Sequence, residues 1–233
     1  TDVSGPHGRI GPTLKKYPEI AFESGKFDSN ESTNTYVQAG YTVSASSQDS
    51  STADRFAYQA FNEGATVHEW RSDSGSNYGG SGGIFNNTST HYQLASTDVD
   101  GASIPHGEWL KIKMPKKIRI NSVFLKPDPG YLLRTPEDFK IYGSNDGTTW
   151  KLLITQTGMV PRDAGNDIVP ATTISGYYDE YAIVITKIYN NGQPDTAIEE
   201  LEFYGYEEDP PAGDHSVDTT FKSRFNNPQT TGV

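Results

Sequence analysis

The stretch that most constrains the fold is residues 138–153, which alternates apolar with polar side chains on both sides of a short turn. Alternation with a period of two is typical of a β-strand that buries one face. Residues 145–147, Asn-Asp-Gly, are the short polar residues and the Gly that tolerate positive φ angles in a tight turn. The stretch therefore predicts a β-hairpin with Tyr142, Trp150 and Leu152 as its apolar side chains.

Four further segments have strand-like patterns. Residues 109–114 and 118–125 alternate in the same way on either side of 115–117, Pro-Lys-Lys, which we interpret as a turn. Residues 181–188 and 198–204 are rich in β-branched and aromatic side chains, with a polar, Gly-containing turn between them. The sequence thus predicts six strands in this part of the chain and no helix, which indicates an all-β fold.

Composition favours one main domain. A chain of 233 residues with 33% hydrophobic content can bury one sizeable core plus tails. Its 23 Gly and 14 Pro fit an antiparallel sandwich or barrel in which short strands alternate with turns. No apolar run reaches membrane-spanning length. The absence of Cys excludes disulfides, thiolate metal sites and Cys catalysis.

The charge balance argues against two kinds of partner. The chain carries 19 basic and 30 acidic residues, so on average it repels nucleic-acid phosphates and anionic membrane surfaces. No Lys/Arg stripe with interleaved aromatic residues offsets this repulsion. The first residues lack the basic-then-apolar pattern of a signal peptide, so we expect a targeting segment to be absent from this piece or removed. Neither nucleic acid nor membrane insertion is expected.

Two segments read as irregular. Residues 1–38 are rich in Gly, Pro, Ser and Asn, and we predict an extended N-terminal arm there. The arm is either a simple linker or a segment whose Ile20 and Phe22 dock onto a neighbouring subunit or onto the sheet. Residues 73–107 are dominated by Gly, Ser, Asn and Thr and are longer than ordinary connections, which favours an insertion over a functional loop.

The end of the chain changes character. Residues 39–206 form the predicted sandwich, and residues 207–214 are acidic and Pro-rich, as in an inter-domain linker. Residues 215–233 begin a new β-like pattern that lacks enough apolar residues for a core. They are predicted to start a further β module or to be a tail that adds a strand to another protein.

A set of short motifs gives the chain a family resemblance over about residues 40–206. In order they are Val43-x-Ala45-Ser46-Ser47, Ala60-Phe61-Asn62, Trp70-x-Ser72, Glu108-Trp109-Leu110, Ile120-x-x-Val123, Ser144-Asn145-Asp146-Gly147-x-x-Trp150 and Ile198-x-Glu200-Leu201-x-Phe203-x-Gly205. This order resembles the discoidin family, also called the coagulation factor V/VIII type C domain, which overlaps carbohydrate-binding module family 32. More loosely, the arm and the start of a second module resemble modular surface proteins of large algal viruses.

The resemblance implies an eight-stranded antiparallel jelly-roll sandwich and a structural calcium ion. Family calcium sites lie between the loop after the Ala-Phe motif and the Glu that opens the last strand. The corresponding oxygen ligands here are Asn62, Thr66 and Glu200, completed by backbone carbonyls. The family commonly has Asp where this chain has Asn62, which lowers the charge of the site. The alternative is that Asn62 caps a turn while Glu200 lies on a solvated strand face.

The resemblance also implies a ligand site in the loops at one end of the sandwich, which here are residues 47–56, 126–135 and 189–195. A sugar ring stacks on an aromatic side chain, and its hydroxyls prefer planar donors and acceptors. Loop residues of these types are the candidate ligand-binding residues Lys126, Tyr131, Arg134, Tyr189, Asn190 and Asn191. The alternative for each is a loop side chain packed on its own turn. Trp70, Trp109 and Trp150 are assigned to the core, since they occupy strand-like positions.

Enzyme motifs are weak. Residues 79–83 match the Gly-x-Ser-x-Gly nucleophile elbow, but that motif requires a preceding strand and a following helix, which a Gly/Ser loop lacks. His68-Glu69 lacks the second His of a zinc protease helix. Asp98-x-Asp100-Gly101 begins like a calcium loop but continues with Ala102 in place of an oxygen ligand. We expect no catalytic activity.

Taken together, the sequence predicts a non-catalytic, lectin-like module that binds a glycan on a cell or particle surface, outside the cell or on a virion, as in an adhesin. The alternative is a structural domain of an oligomer or virion, whose loops contact neighbouring subunits. In that case Ile20, Phe22, Phe221 and Phe225 are the anchors.

Overall fold

The computed structural model describes residues 12–64, 68–75, 77–78, 81–189 and 192–208. The predicted module at 215–233, with Phe221 and Phe225, and most of the predicted linker lie outside these ranges. The strands are β1 Lys15–Tyr17, β2 Asp28–Asn30, β3 Thr35–Gln38, β4 Tyr41–Ala45, β5 Trp70–Arg71, β6 Glu108–Lys126, β7 Pro136–Ser144, β8 Lys151–Gln156, β9 Asn166–Ile168, β10 Tyr178–Ile188, β11 Ala197–Ile198 and β12 Glu200–Glu207. Short 3-10 helices are Glu31–Thr33, Ala53–Arg55, Ala57–Phe61, Ser81–Gly83, Thr90–Tyr92 and Leu132–Arg134. Within the described ranges, no helix has the length and apolar character to cross a membrane.

The predicted all-β sandwich is confirmed. One sheet has the order β2-β3-β4-β6-β10-β7-β8, and every pairing in it is antiparallel. The other sheet joins β1, β12 and β9 to the second half of β6. Seven strands have four or more residues, and β6 serves both sheets, which gives the eight strand segments of a jelly roll.

Strand β6 differs from the prediction at Pro115-Lys116-Lys117. These residues are exposed but do not reverse the chain, and β6 continues for 19 residues from one sheet into the other. Before Pro115 the strand pairs with β4 and β10, and after it with β12 and β9, apart from one further pairing of Ile118 with Tyr178 of β10. Pro is compatible with extended backbone where its missing N–H is not needed by a neighbouring strand. The segment is therefore a bend between layers.

The predicted hairpin is confirmed as β7 and β8. Its turn is held locally, because Ser144 Oγ accepts hydrogen bonds from the backbone of Asp146 and Gly147. The Asp146 carboxylate accepts the backbone N–H groups of Thr148 and Thr149 at 2.8 and 2.6 Å, which lower its pKa. Gly147 has φ +73°, the left-handed conformation for which Gly is favoured.

The N-terminal segment differs from the predicted extended arm over its described part. Strand β1 pairs with β12, and β2 and β3 form a hairpin that extends the sheet through β4. Phe22 is buried, and its backbone N–H donates to Phe61 O at 2.9 Å. Ile20 remains 38% exposed. Of the alternatives for this segment, the structure shows docking of Phe22 onto the sandwich of the same chain.

The long connection before β6 covers the outer face of the first sheet. Ile104 packs there with Tyr142, Trp150 and Val184 in a second, smaller apolar cluster. Trp109 lies at its edge and donates from Nε1 to His91 O. Trp70 is buried in the main core between the sheets and Trp150 in this smaller cluster, as their assignment to the core predicts, whereas Trp109 is only partly buried.

Candidate functional site

The loops after β4, β6 and β10 meet at one end of the sandwich. The Tyr189 N–H donates to Thr135 O at 2.9 Å, which ties the loop after β10 to the loop after β6. The Asp49 N–H donates to Arg71 O at 2.8 Å, which ties the loop after β4 to β5. Because β5 pairs with β11, all three loops are fastened to the same small sheet. The prediction that these loops lie together therefore agrees with the structure.

An open cleft of about 410 Å³ lies between the loop after β4, the residues just before β5 and the loop after β6. The Tyr131 side chain lies at its edge and is 41% exposed. The cleft is lined on its polar sides by Asp54, Arg55, His68, Glu69 and Asp128. It thus combines one accessible aromatic ring with several donors and acceptors.

Sequence reasoning predicted none of the polar residues that line the cleft, nor Arg71, which contacts Tyr131. The guanidinium carbon of Arg71 lies 4.0 Å from the centroid of the Tyr131 ring, a cation–π contact. Arg71 is buried and forms an ion pair with the equally buried Glu69. Its Nε has no hydrogen-bond partner in the described part of the chain. The only sequence signal was its position between the Trp and Ser of the Trp70-x-Ser72 motif.

The carboxyl group of Glu69 is buried between the Arg71 guanidinium and the Asp128 carboxylate. Burial raises its pKa to about 7, and the nearby Asp128 adds to the rise, while Arg71 opposes it. In its protonated form this carboxyl can donate as well as accept a hydrogen bond. Asp128 is itself oriented, because its Oδ1 accepts the Gly130 N–H at 2.6 Å. Glu69 and Asp128 therefore supply the cleft with hydrogen-bond acceptors and, when Glu69 is protonated, with a donor.

The other predicted ligand-binding residues are not all brought to this cleft. The Arg134 guanidinium is committed to an ion pair with Asp195, which fastens two of the loops together. Lys126 Nζ lies 2.6 Å from Glu199 Oε1 at the end of β6. Tyr189 is exposed but does not line the cleft. Asn190 and Asn191 lie outside the described residues, so within the described set Tyr131 alone of the six lines the cleft.

The predicted calcium ligands Asn62 and Glu200 converge on the loop after the 3-10 helix Ala57–Phe61. The Gly64 N–H donates both to Asn62 Oδ1 and to Glu200 Oε2, each at 2.9 Å. Thr66 lies outside the described residues. Glu200 is buried, so its expected alternative place on a solvated strand face is wrong. Burial raises its pKa to about 8, with the neighbouring Glu202 as a further cause.

A buried carboxylate with few compensating charges is the situation that a bound cation relieves. Asn62 Oδ1 and the Glu200 carboxylate supply two hard oxygens that face the same backbone amide. They are two of the six to eight oxygens that calcium requires, and the described residues hold no group of three or more His, Cys, Asp or Glu side chains that could bind a metal ion.

Several solved structures have an architecture similar to this one. A module from Clostridium perfringens, CpGH89CBM32-5, solved in complex with GalNAc-β-1,3-galactose, matches 70% of this chain and 94% of its own at 10% identity, with a TM-score of 0.50. The fold is that of a family 32 carbohydrate-binding module. The C-terminal domain of a Bacteroides fragilis chitobiase has the same likeness, with 18% identity, coverage of 75% and 99%, and a TM-score of 0.50.

A third similar structure is the family 32 module of C. perfringens NanJ in complex with galactose, at 14% identity, 71% and 94% coverage and a TM-score of 0.48. Neither a protein-family model nor a curated protein matches the sequence. The family 32 likeness therefore concerns the fold, and the ligand chemistry of this chain has to be argued from its own residues.

Proposed function

We propose that this chain is a non-catalytic module that binds a glycan in the cleft at the loop end of the sandwich. The observation that carries the proposal is the exposed Tyr131 ring beside the buried, oppositely charged Arg71 and Glu69. The ring offers an apolar face on which a pyranose stacks, and the charged groups are held in place before the ligand arrives.

The polar groups of the cleft suit sugar hydroxyls. Arg55 Nη1 is held 2.5 Å from Asp49 Oδ2, so its remaining N–H groups keep a fixed orientation. Glu69 and Asp128 supply acceptors, and the raised pKa of Glu69 lets its carboxyl donate as well. Small-molecule sites combine an apolar surface with a few such convergent polar groups.

The fold supports the same proposal. The C. perfringens module of this fold was solved in complex with a disaccharide. We extend the proposal to a glycan on a cell or particle surface, with the chain outside the cell or on a virion. Each module is expected to bind with modest affinity, which repetition in an assembly would raise without new contacts.

A glycan array tests this function directly. We expect residues 1–233 to bind a subset of arrayed sugars. Tyr131→Ala should remove the signal while lowering the melting temperature by no more than about 4 °C, since the lost cation–π contact with Arg71 costs about 1 kcal/mol. Silence across the array, together with concentration-dependent assembly in solution, would overturn the proposal. That outcome would favour the structural role.

The structural alternative loses one of its expected anchors. Phe22 is 1% exposed and packs against Phe61, with 6.4 Å between ring centroids, so it already has a partner within its own chain. Ile20 is exposed and remains available to a neighbouring subunit. A single exposed aliphatic residue is normal on a protein surface and is a weak basis for assembly.

We propose further that calcium binds at Asn62 and Glu200, with Thr66 as an additional ligand. When bound, the ion would neutralise the buried Glu200 carboxylate and fix the loop after Phe61. This role is structural, because Glu200 belongs to β12 and does not line the loop-end cleft.

Calcium is expected to raise the melting temperature of the wild type. At a free concentration of about 100 times Kd, binding adds about 2.7 kcal/mol to the free energy of unfolding. Glu200→Gln keeps the shape of the side chain but removes the charged oxygen, so its melting temperature should not respond to calcium. Differential scanning fluorimetry with calcium and with a chelator measures both.

The control for this prediction is Glu137→Gln, which makes the same charge change on β7, at a side chain paired with Lys187. It should respond to calcium like the wild type. Equal responses of the wild type and Glu200→Gln would contradict the proposed site.

A further inference from the structure

A second cleft, of about 120 Å³, lies on the outer face of the second sheet beside Arg119. Its lining includes Asn121, Tyr206 and residues of the segment 169–174. Arg119 is seven residues before Lys126 along β6, which separates it from the loop end by roughly 20 Å at about 3.3 Å per residue. The cleft is therefore distinct from the loop-end cleft around Tyr131.

A β-bulge builds this cleft. Arg119 is the direct partner of Tyr206, and the register shift between Tyr204 and Gly205 leaves Asn121 without a partner on β12. The strands approach closely here, since a Cβ atom on Gly205 would lie 2.7 Å from Arg119 O. Bulges reorient side chains, and this one sets Arg119 and Tyr206 together on the solvent side.

The guanidinium of Arg119 lies between two aromatic rings. Its carbon is 5.5 Å from the centroid of Tyr206 and 5.6 Å from that of Tyr177, within cation–π range. Both tyrosines are partly buried, so the rings hold the guanidinium in place. Such a cation is oriented before any ligand arrives.

Arg119 differs from the other half-buried or buried arginines in having no ion pair with a carboxylate of the described residues. Arg55, Arg71 and Arg134 each contact such a carboxylate. The guanidinium N–H groups of Arg119 also donate no hydrogen bond to the described part of the protein. The planar guanidinium of Arg119 is thus held by two aromatic rings, and its N–H donors are available to a ligand.

We propose that this cleft is a second ligand site, which binds the carboxylate or sulfate ester of an acidic saccharide. The guanidinium fork of Arg119 matches two oxygens of either group. The Asn121 amide and the hydroxyls of Thr172 and Thr173 line the same cleft and can bond adjacent hydroxyls. The volume suits one anionic group with part of its ring rather than a whole sugar.

The site extends the proposed function but stands on separate residues. A long acidic polysaccharide could contact both clefts of one module, which would strengthen binding by effective concentration alone. Because the chain carries a net charge of −11, binding of a polyanion cannot come from general attraction and requires a local cationic site.

The test compares dextran, carboxymethyl dextran and dextran sulfate of equal length by isothermal titration calorimetry at an ionic strength of about 0.15 M. We expect one or both charged polymers to bind and dextran not to bind. Binding of carboxymethyl dextran alone would identify a carboxylate as the ligand. Binding of dextran sulfate alone would identify a sulfate ester. Binding of neither, or equal binding of all three, would overturn the proposal.

Substitutions of Arg119 test whether the charged dextran binds at this cleft. Arg119→Gln should weaken binding about tenfold or more, as expected for lost charge-assisted hydrogen bonds. Arg119→Lys should give a smaller loss, because it keeps the charge but not the fork. The matched control Arg162→Gln removes an exposed guanidinium elsewhere and should change affinity less than about twofold. Equal losses in Arg119→Gln and Arg162→Gln would refute the site.

A further control separates this inference from the proposed function. Tyr131→Ala should retain binding of the charged dextran, whereas the array signal of a neutral glycan should be lost. If the array shows no binding but Arg119 still determines polyanion binding, the second site stands alone.

Discussion

Tyr131→Ala is expected to weaken glycan binding at the loop-end cleft by about tenfold or more, or roughly 1.4 kcal/mol. Among the described residues Tyr131 is the only Phe, Tyr or Trp side chain that lines the cleft, and stacking of an apolar sugar face depends on it. Its loss also frees Arg71, whose guanidinium contacts the ring at 4.0 Å. Calorimetric titration with a glycan identified on the array measures the change.

Tyr189→Ala is the matched control. Both tyrosines are 41% exposed and lie at the same end of the sandwich, but Tyr189 does not line the cleft. We expect its affinity to stay within about twofold of the wild type, since a surface substitution away from the site acts weakly. A larger loss of affinity for Tyr189→Ala than for Tyr131→Ala would indicate that the ligand binds at the loop after β10, where Asn190 and Asn191 follow Tyr189.

The largest effect on stability is expected for Asp195→Ala. The Asp195 carboxylate is buried, and its removal leaves the mostly buried guanidinium of Arg134 without its counter-ion. Breaking a buried ion pair by removing one partner costs about 3–5 kcal/mol. We expect the lower end of this range, because Arg134 keeps 16% of its side chain exposed. The melting temperature should fall by roughly 10 °C for a domain of this size.

The site should lose order together with stability. Arg134 O accepts the Thr196 hydroxyl at 2.9 Å, so the ion pair and this hydrogen bond fasten the same two loops. Asp100→Ala provides the control, since Asp100 forms an exposed ion pair with Lys151 and its loss should cost less than about 1 kcal/mol. The double variant Arg134→Met with Asp195→Leu should recover much of the lost stability. Similar costs for Asp195→Ala and Asp100→Ala would contradict the argument.

Strands β6, β7, β8, β10 and β12 were predictable from sequence because each carries its own local signal, whereas β1, β2 and β3 lie in the segment interpreted as an extended arm. Alternation defined β7 and β8, and the Asn-Asp-Gly turn fixed how they connect. The bend in β6 was not predictable, because Pro-Lys-Lys between two alternating segments is compatible with both a turn and an exposed bend. Only the pairing partners of each half distinguish these two possibilities.

Of the candidate site, the sequence predicted the aromatic residue Tyr131 but not the charged residues around it. Tyr131 stands out as an aromatic residue in a Gly- and Pro-containing loop. The role of Arg134 depends on Asp195, which lies 61 residues later, and that of Arg71 on its neighbours Glu69 and Tyr131. Sequence spacing carries no information on which distant side chain will meet an Arg, so the Arg134–Asp195 ion pair and the Arg71–Tyr131 contact became visible only in the folded chain.

The pairing of β1 with β12 determines how the module would bear mechanical load. Lys15 lies opposite Gly205 and Tyr17 opposite Phe203, so the chain enters and leaves the sandwich side by side. Because the two strands are antiparallel, a force pulling these ends apart acts across the ladder and opens its hydrogen bonds one after another. Tension transmitted between flanking segments would therefore peel β1 away at low force, while the loop-end cleft and its ligand stay outside the line of load.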